Sequence, residues 1–579
     1  MADRRRAVRM CRSVWILAGI VAPAVCAAGA DSGHFVLAGN EQVLQQWAQA
    51  SGTAPPRLIE GGGGSDSTRL EWTGGVSYDF YGTNSRGGFI LTPVRDDGSH
   101  NTAQIQTDVR STGTDGALSW FTIGATFSDD RATIDHPMLI NTVQIGHAGD
   151  SYRVALGDVP AGFSTLGTNT GLRGLLGEGY LGRTLFQAVA GVQADTWESI
   201  ANEERRTRYQ RNSYAFKVEQ PVGEAFAAYA TLQGYSDDSD AATAANTGLA
   251  PADGNAATLG FRFRQGGFSL SGEGGASRWK EQGQSSESDE AWIIDAAWQG
   301  EQLGFQAGYH DLGLFYSSLS GEALSGVSEV YGSASWMATN WLSLNGDLRH
   351  TENERSIPPT KLGQPVSFPY TPNAAEADSW SLGADVSISA IDGLSLQFSH
   401  SQSNGENDGG GANDQSNSAA GVSFSRSGWS TGFSLQQGDF ENSAAAATDS
   451  ETDGWSAYLG REWMEAENGS WSLGTTLTYS DQRQELDSGA RNGSESWQVD
   501  LSGRHRRFGE FSALWYDGRV RDPSSGQMLD QRGIQFSAGR AIGRYGSIKA
   551  YYSRNDSFDD RNDIAYMERT LGVQLLAAF

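Results

Sequence analysis

The sequence predicts an all-β fold, a transmembrane antiparallel up-and-down β-barrel of about 26 strands, within a range of roughly 22 to 26. Three observations predict it. Apolar residues alternate with small or polar ones along most of the chain, short turns alternate with long polar links, and the chain ends on an alternating strand at Phe579.

The alternation is clearest from Trp380. Trp380, Leu382, Ala384, Val386 and Ile388 form one apolar face, while Ser381, Gly383, Asp385, Ser387 and Ser389 form the other. Ile391-Asp392-Gly393 then reverses the chain, and Leu394, Leu396 and Phe398 restart the apolar face. The same period recurs in Leu342-Leu344, Val499-Leu501 and Ile534-Phe536-Ala538.

A soluble β-sandwich shares this alternation, so the links decide between the two. Short turns are expected at Pro221-Gly223, Gln265-Gly267, Gly300-Gln302, Thr339-Trp341, Asp392-Gly393, Ser427-Gly428, Glu465-Gly469, Arg506-Gly509 and Ile542-Gly546. Between them lie long polar links, one beginning at Asp237-Asp238-Ser239-Asp240 and others at Glu352 to Asp378 and Asn404 to Asn417. A barrel with tight periplasmic turns and extended extracellular loops has this asymmetry, and a sandwich does not. Trp279, Trp341, Trp380, Trp429, Trp455, Trp471 and Trp497 are expected near strand ends, as two interfacial girdles.

Composition agrees. With 74 glycines, 14 prolines and 10% aromatic residues, the chain suits many strands joined by glycine turns. No apolar run is long enough for a transmembrane helix. Residues 1–30 read as a signal peptide: Arg4, Arg5, Arg6, Arg9 and Arg12 precede an apolar run from Val14 to Val25, and Ala28-Gly29-Ala30 fits a cleavage site. Both cysteines, Cys11 and Cys26, leave with it, so no disulfide framework is expected. The formal charge is -27 and becomes about -31 without the leader, which disfavours nucleic acid as a partner. Residues 31–66, with the joint Gly61-Gly62-Gly63-Gly64, read as a periplasmic N-terminal segment, a tether or a plug, and residues 67–579 as the barrel. Glycines interrupt the pattern between Leu139 and Gln193, where one or two strands can instead be a segment inside the lumen.

At the end of the chain, Leu571, Val573, Leu575, Ala577 and Phe579 form one apolar face up to the carboxylate. This resembles the carboxy-terminal strand of bacterial outer-membrane proteins. The resemblance implies recognition by the barrel-assembly machinery, location in the outer membrane of a Gram-negative cell, and outer-membrane lipid as surroundings. Leu156-Gly157-Asp158 followed by Leu172-Arg173-Gly174 is similar to the Gly-Asp and Arg-Gly elements of fimbrial ushers and other large secretion barrels. The chain before Ser67 is too short for an usher's folded periplasmic domain, so a chaperone-linked pilus role is not expected. Asp158 and Arg173 are expected to pair inside the wall or the lumen.

No G-x-S-x-G, H-E-x-x-H or Walker sequence occurs, so no catalytic role, cofactor or metal is expected, although His310, His350, His400 and His505 lie in or near strands. Asn404-Gly405-Glu406-Asn407-Asp408-Gly409 lacks the spacing of a full calcium loop. Arg349, Asp347, Asp385, Asp500, Arg504 and Lys549 fall on the polar face and are candidate lumen or gate residues, either filtering cargo or bracing the wall. The expected function is a channel or translocator, gated or plugged, for solutes or an exported macromolecule. A scaffold barrel that holds a periplasmic or secreted partner without conducting is the alternative.

Overall fold

A strand with one apolar and one polar face survives in hydrocarbon only if both of its edges are paired. In the computed structural model every strand meets that condition. The structure describes residues 69–579 apart from 88–96, 132–133, 135, 194–195, 203–208, 239–250, 284, 318–325, 354–374, 389, 408–410, 444–448, 465–470, 522–527, 544 and 561. The expected leader and the 31–66 segment lie outside the described residues. Twenty-six antiparallel strands follow chain order from β1 (Arg69–Gly87) to β26 (Ile564–Ala578). Among the described residues no helix is long and apolar enough to cross a membrane.

The terminal strand closes the sheet. β26 pairs with β1 from Gly75↔Ala578 to Gly87↔Tyr566. Past this ladder, the Gly74 N–H donates to the Phe579 carbonyl at 2.9 Å and the Phe579 N–H returns to Gly74 at 3.0 Å. Trp72 meets the Phe579 ring edge-on at 5.4 Å, and a side chain on Gly74 would collide with that ring. Leu571, Val573, Leu575 and Phe579 point outward, uncovered by protein.

The expected short turns cluster at the rim that holds Phe579. β18 (Ala412–Arg426) and β19 (Trp429–Asn442) are joined by Ser427 and Gly428, with φ of 52° and 78°. Two consecutive positive values suit a two-residue hairpin whose twist must match the strands. The turn expected at Glu465-Gly469 lies outside the described residues. At the other rim the links 238–251, 313–326 and 354–374 are longer. The expected link from Asn404 to Asn417 is corrected: β17 (Leu394–Asn407) and β18 run through most of it, leaving 408–411. Both faces are polar there, so the ladder continues where the hydrophobic signal has stopped.

The outer face carries the girdles. Trp341, Trp429 and Trp471 lie exposed near the turn rim. The Arg461 guanidinium covers the Trp429 ring at 4.7 Å, a cation held at an interface by an aromatic face. Further up, Phe433, Trp455, Tyr479 and Trp497 form a continuous row with centroids 6.0, 4.7 and 4.4 Å apart. Trp455 and Trp463 are eight residues apart on one strand, so these levels are separated by roughly 20 Å once strand tilt is included. Trp380 also faces outward. Trp279 does not: it is buried inside the lumen with Tyr235, Ala252 and Phe315, because strand parity places it in phase with Ser277 and Glu273.

Candidate functional site

A circle of 26 strands, each about 4.8 Å wide and tilted by about 40°, is roughly 50 Å across, too wide for side chains to fill. Part of the wall folds into it. β5 (Tyr152–Gly162) pairs with β4 (Met138–Ala148) only as far as Gln144↔Gly157. β6 (Asn169–Leu181) pairs with β7 (Thr184–Gln193) only from Arg173↔Val192. The β5–β6 ladder nevertheless continues to Gly162↔Asn169. Residues 158–172 therefore form a hairpin paired to neither neighbour, and it folds inward.

Glycines permit the bend. Gly157, Gly174 and Gly191 are consecutive cross-strand partners. A Cβ would fall 2.0 Å from the Val143 carbonyl at Gly157, where φ is +112°, and 2.0 Å from the Ala190 carbonyl at Gly174. Only glycine lets the backbones approach this closely.

Asp158 and Arg173 stand beside these glycines and pair directly at 3.3 Å. Asp158 Oδ2 also accepts the Val143 N–H at 2.7 Å, satisfying a backbone donor beside the point where the strands part. The Trp197 indole donates to the same oxygen at 2.9 Å, and Arg173 lies over the Trp197 ring. Trp197 opens the short helix α1 (Trp197–Ala201), capped by Thr196. Glu198 in that helix accepts the Ile140 N–H at 2.7 Å.

The hairpin tip is seated across the lumen on β11 (Phe268–Glu281) and β12 (Ser286–Gln299). From Gly157 to Leu166 an extended arm reaches roughly 30 Å, about six strand spacings. Glu273 Oε2 accepts the N–H groups of Thr165 and Leu166 at 3.1 and 3.3 Å and the Tyr229 hydroxyl at 3.2 Å. Thr168 donates to Gln233. Leu166 is fully buried among Ala291, Ile293, Leu312 and Tyr316. The Tyr316 hydroxyl closes the seat by donating to the Leu166 carbonyl at 2.8 Å. Along its base, Val159, Ala161, Phe163 and Leu172 pack on Val189 and Ala215 of the wall.

Polar bracing continues below. Arg153 faces Glu178 at 3.9 Å, Gln187 donates to Glu178 at 2.7 Å, and Lys217 meets Glu219 at 2.9 Å. Arg153, Glu178 and Gln187 occupy neighbouring strands in direct register, whereas Lys217 and Glu219 are two apart on one strand, and in both cases burial is offset by a polar partner.

A closed sheet with an apolar, aromatic-edged exterior and a polar lumen fits one solvent arrangement. The protein is a membrane-spanning β-barrel.

The remaining sequence candidates of this barrel lie on its polar face. Asp347 accepts from Ser381, and Arg349 lies 3.8 Å from Glu329. Asp385 stands opposite Ser343 and Gln397. Asp500 accepts from Gln498 at 2.8 Å, Arg504 faces Glu510, and Lys549 faces Gly539. Asp158 and Arg173 are brought together, and Asp500, Arg504 and Lys549 line one cavity with Glu462 and Glu510, whereas Asp347, Arg349 and Asp385 are not part of it. Sequence reasoning missed Glu273, although a signal was present. It sits in Gly272-Glu273-Gly274-Gly275, and glycines within a strand mark close approach: a Cβ on Gly275 would lie 2.6 Å from the Tyr316 hydroxyl.

No protein-family model matches the chain, and no curated protein matches it. Solved structures similar in fold include the siderophore receptor PirA from Pseudomonas aeruginosa, at 11% identity over 89% of this chain and 81% of that one, with a TM-score of 0.37. OccD3 (OpdP) from Pseudomonas aeruginosa is 8% identical over 92% and 99%, with a TM-score of 0.27. OccK9 (OpdG) from the same organism is 13% identical over 64% and 97%, with a TM-score of 0.29.

Proposed function

We propose that this barrel is a gated conduit of the outer membrane, carrying solute or an exported macromolecule, with the β5–β6 hairpin as its gate. The observation that carries this reading is that residues 158–172 leave the backbone ladders of both neighbouring strands and are seated inside the lumen on Glu273. A wall segment needed only for closure would stay in the ladder. The tip is seated by a small set of hydrogen bonds and one buried leucine, a scale that cargo or a partner can displace, whereas the base stays packed on the wall through Val159, Ala161, Phe163 and Leu172. Transport is favoured over catalysis by the lumen-seated hairpin. The histidines do not bear on that choice: His310 bonds to Asp295, His350 to Asp378 and His400 to Ser418, while His505 accepts turn amides.

Planar-bilayer recording tests the reading. Wild-type protein is expected to show rare openings, and Glu273→Ala, which removes the acceptor for two backbone amides, to open at least tenfold more often. Deleting residues 159–171 should leave a persistent large conductance. If all three remain silent although folded, the conduit is wrong and the scaffold reading replaces it.

A further inference from the structure

Two stretches of the lumen wall differ in chemistry. The stretch that seats the hairpin is charged and buried, with Arg153, Glu178, Lys217 and Glu273 all below one-tenth exposed. The other consists of five neighbouring strands, β17, β18, β19, β20 (Ser450–Met464) and β21 (Trp471–Leu486), with the charged inner residues Asp385 on one flank and Asp500 and Arg504 on the other. On the inner face of these five strands serine, threonine, asparagine, glutamine and glycine predominate, and Glu462 at the turn rim is the one charge among the described inner residues. Hydroxyls meet in cross-strand pairs around this wall: Ser395 with Ser423 at 2.6 Å, Ser434 with Ser456 at 2.7 Å, and Ser480 with Ser496 at 2.7 Å.

One aromatic platform, Tyr458, lies within the hydroxyl lining, and two more, Tyr516 and Tyr331, lie on strands outside it. Tyr458 lies flat on Gly432, where a Cβ would be 2.3 Å from its ring. Tyr516 lies likewise on Gly533 at 2.1 Å, and Tyr331 on Gly308 at 2.3 Å. A ring pressed against a glycine on one face presents its other face to the lumen. Tyr458 is the most open of the three, at 37% exposure.

Resting on the conduit reading, we propose that the cargo is an uncharged, hydroxyl-rich polymer, a neutral polysaccharide. Serine and amide side chains both donate and accept, so they pair with sugar hydroxyls in any orientation and release them readily. Tyrosine faces take the C–H side of a sugar ring, which polar side chains alone would not. A polyanion or polycation would need a run of opposite charge here, and a mixed-charge unfolded polypeptide would gain nothing from its ionised groups.

Saturation-transfer NMR on the full-length, detergent-purified protein provides the test, with neutral dextran oligomers, carboxymethyl-dextran of matched length and a reduced, unfolded polypeptide as probes. Neutral dextran is expected to bind in the millimolar range, at least fivefold tighter than either alternative. Tyr458→Ser with Tyr516→Ser should weaken it about tenfold, whereas Tyr458→Phe, which keeps the ring and the fold, should leave it unchanged. Preference for carboxymethyl-dextran or the polypeptide would overturn the proposal, as would equal dextran binding in the double variant. Dextran binding without conductance would sink the conduit and leave the lining's specificity standing. Conductance without dextran binding would do the reverse.

Discussion

Gly157 of β5 and Gly174 of β6 stand directly opposite one another at the level where the hairpin leaves the wall. The backbone on either side of this pair is close enough to exclude a side chain, with Val143 beside Gly157 and Ala190 beside Gly174. Sterics therefore reserve both positions at this bend for glycine.

Gly174→Val should be the most damaging glycine substitution in this region. Its Cβ would lie 2.0 Å from a carbonyl oxygen and 2.4 Å from the Gly191 Cα, so the backbone must move. Folded yield, read by resistance to SDS before heating, is expected to drop severalfold. Gly171→Ala is the control. Its Cβ would meet nothing within 4 Å, and wild-type yield is expected.

Leu166→Ala removes the tip's apolar anchor without touching the wall. Truncating a fully buried leucine costs about 2–3 kcal/mol, which raises the population of an unseated tip roughly 30- to 150-fold. Single-channel open probability should rise by a factor in that range. An unchanged open probability in a folded variant would show that the tip does not limit conduction.

Asp158→Ala removes an acceptor shared by the Val143 amide and the Trp197 indole and strips Arg173 of its counter-ion. Breaking such a partly buried pair costs on the order of 3 kcal/mol. Hydrogen exchange at Val143 is expected to accelerate by about two orders of magnitude, with exchange on the β21 ladder unaffected. Asp158→Asn, which keeps one acceptor, should lose less protection than Ala.

Deleting Phe579 removes two reciprocal backbone hydrogen bonds and the edge-on packing with Trp72, all at the seam that closes the barrel. Assembly into the membrane should fall at least fivefold, measured as the SDS-resistant fraction. Phe579→Tyr keeps both the bonds and the ring and should assemble normally.

Much of the fold was legible in the chain because a membrane barrel repeats one local rule. Alternation from Trp380 to Phe398 set which face meets lipid, and glycine turns such as Ser427-Gly428 set where hairpins reverse. Both signals are local and survive without knowledge of neighbours. They failed where neighbours decide. Asn404 to Asn417 continues as strand because ladder pairing, not hydrophobicity, holds it. Trp279 has the residue type of an interfacial anchor, but its parity turns it inward beneath Phe315.

By itself the sequence determined the barrel class, the outward and inward faces, the closing strand at Phe579, and the conjunction of Gly157-Asp158 with Arg173-Gly174. Only the tertiary structure decided that this conjunction is a bend, that the hairpin reaches Glu273 more than a hundred residues away, and that five neighbouring strands, β17 to β21, line one stretch of the lumen almost without charge. The physical reason is range. Side-chain alternation and turn chemistry act over a few residues, whereas a lumen is defined by side chains from strands that meet only when the sheet has closed.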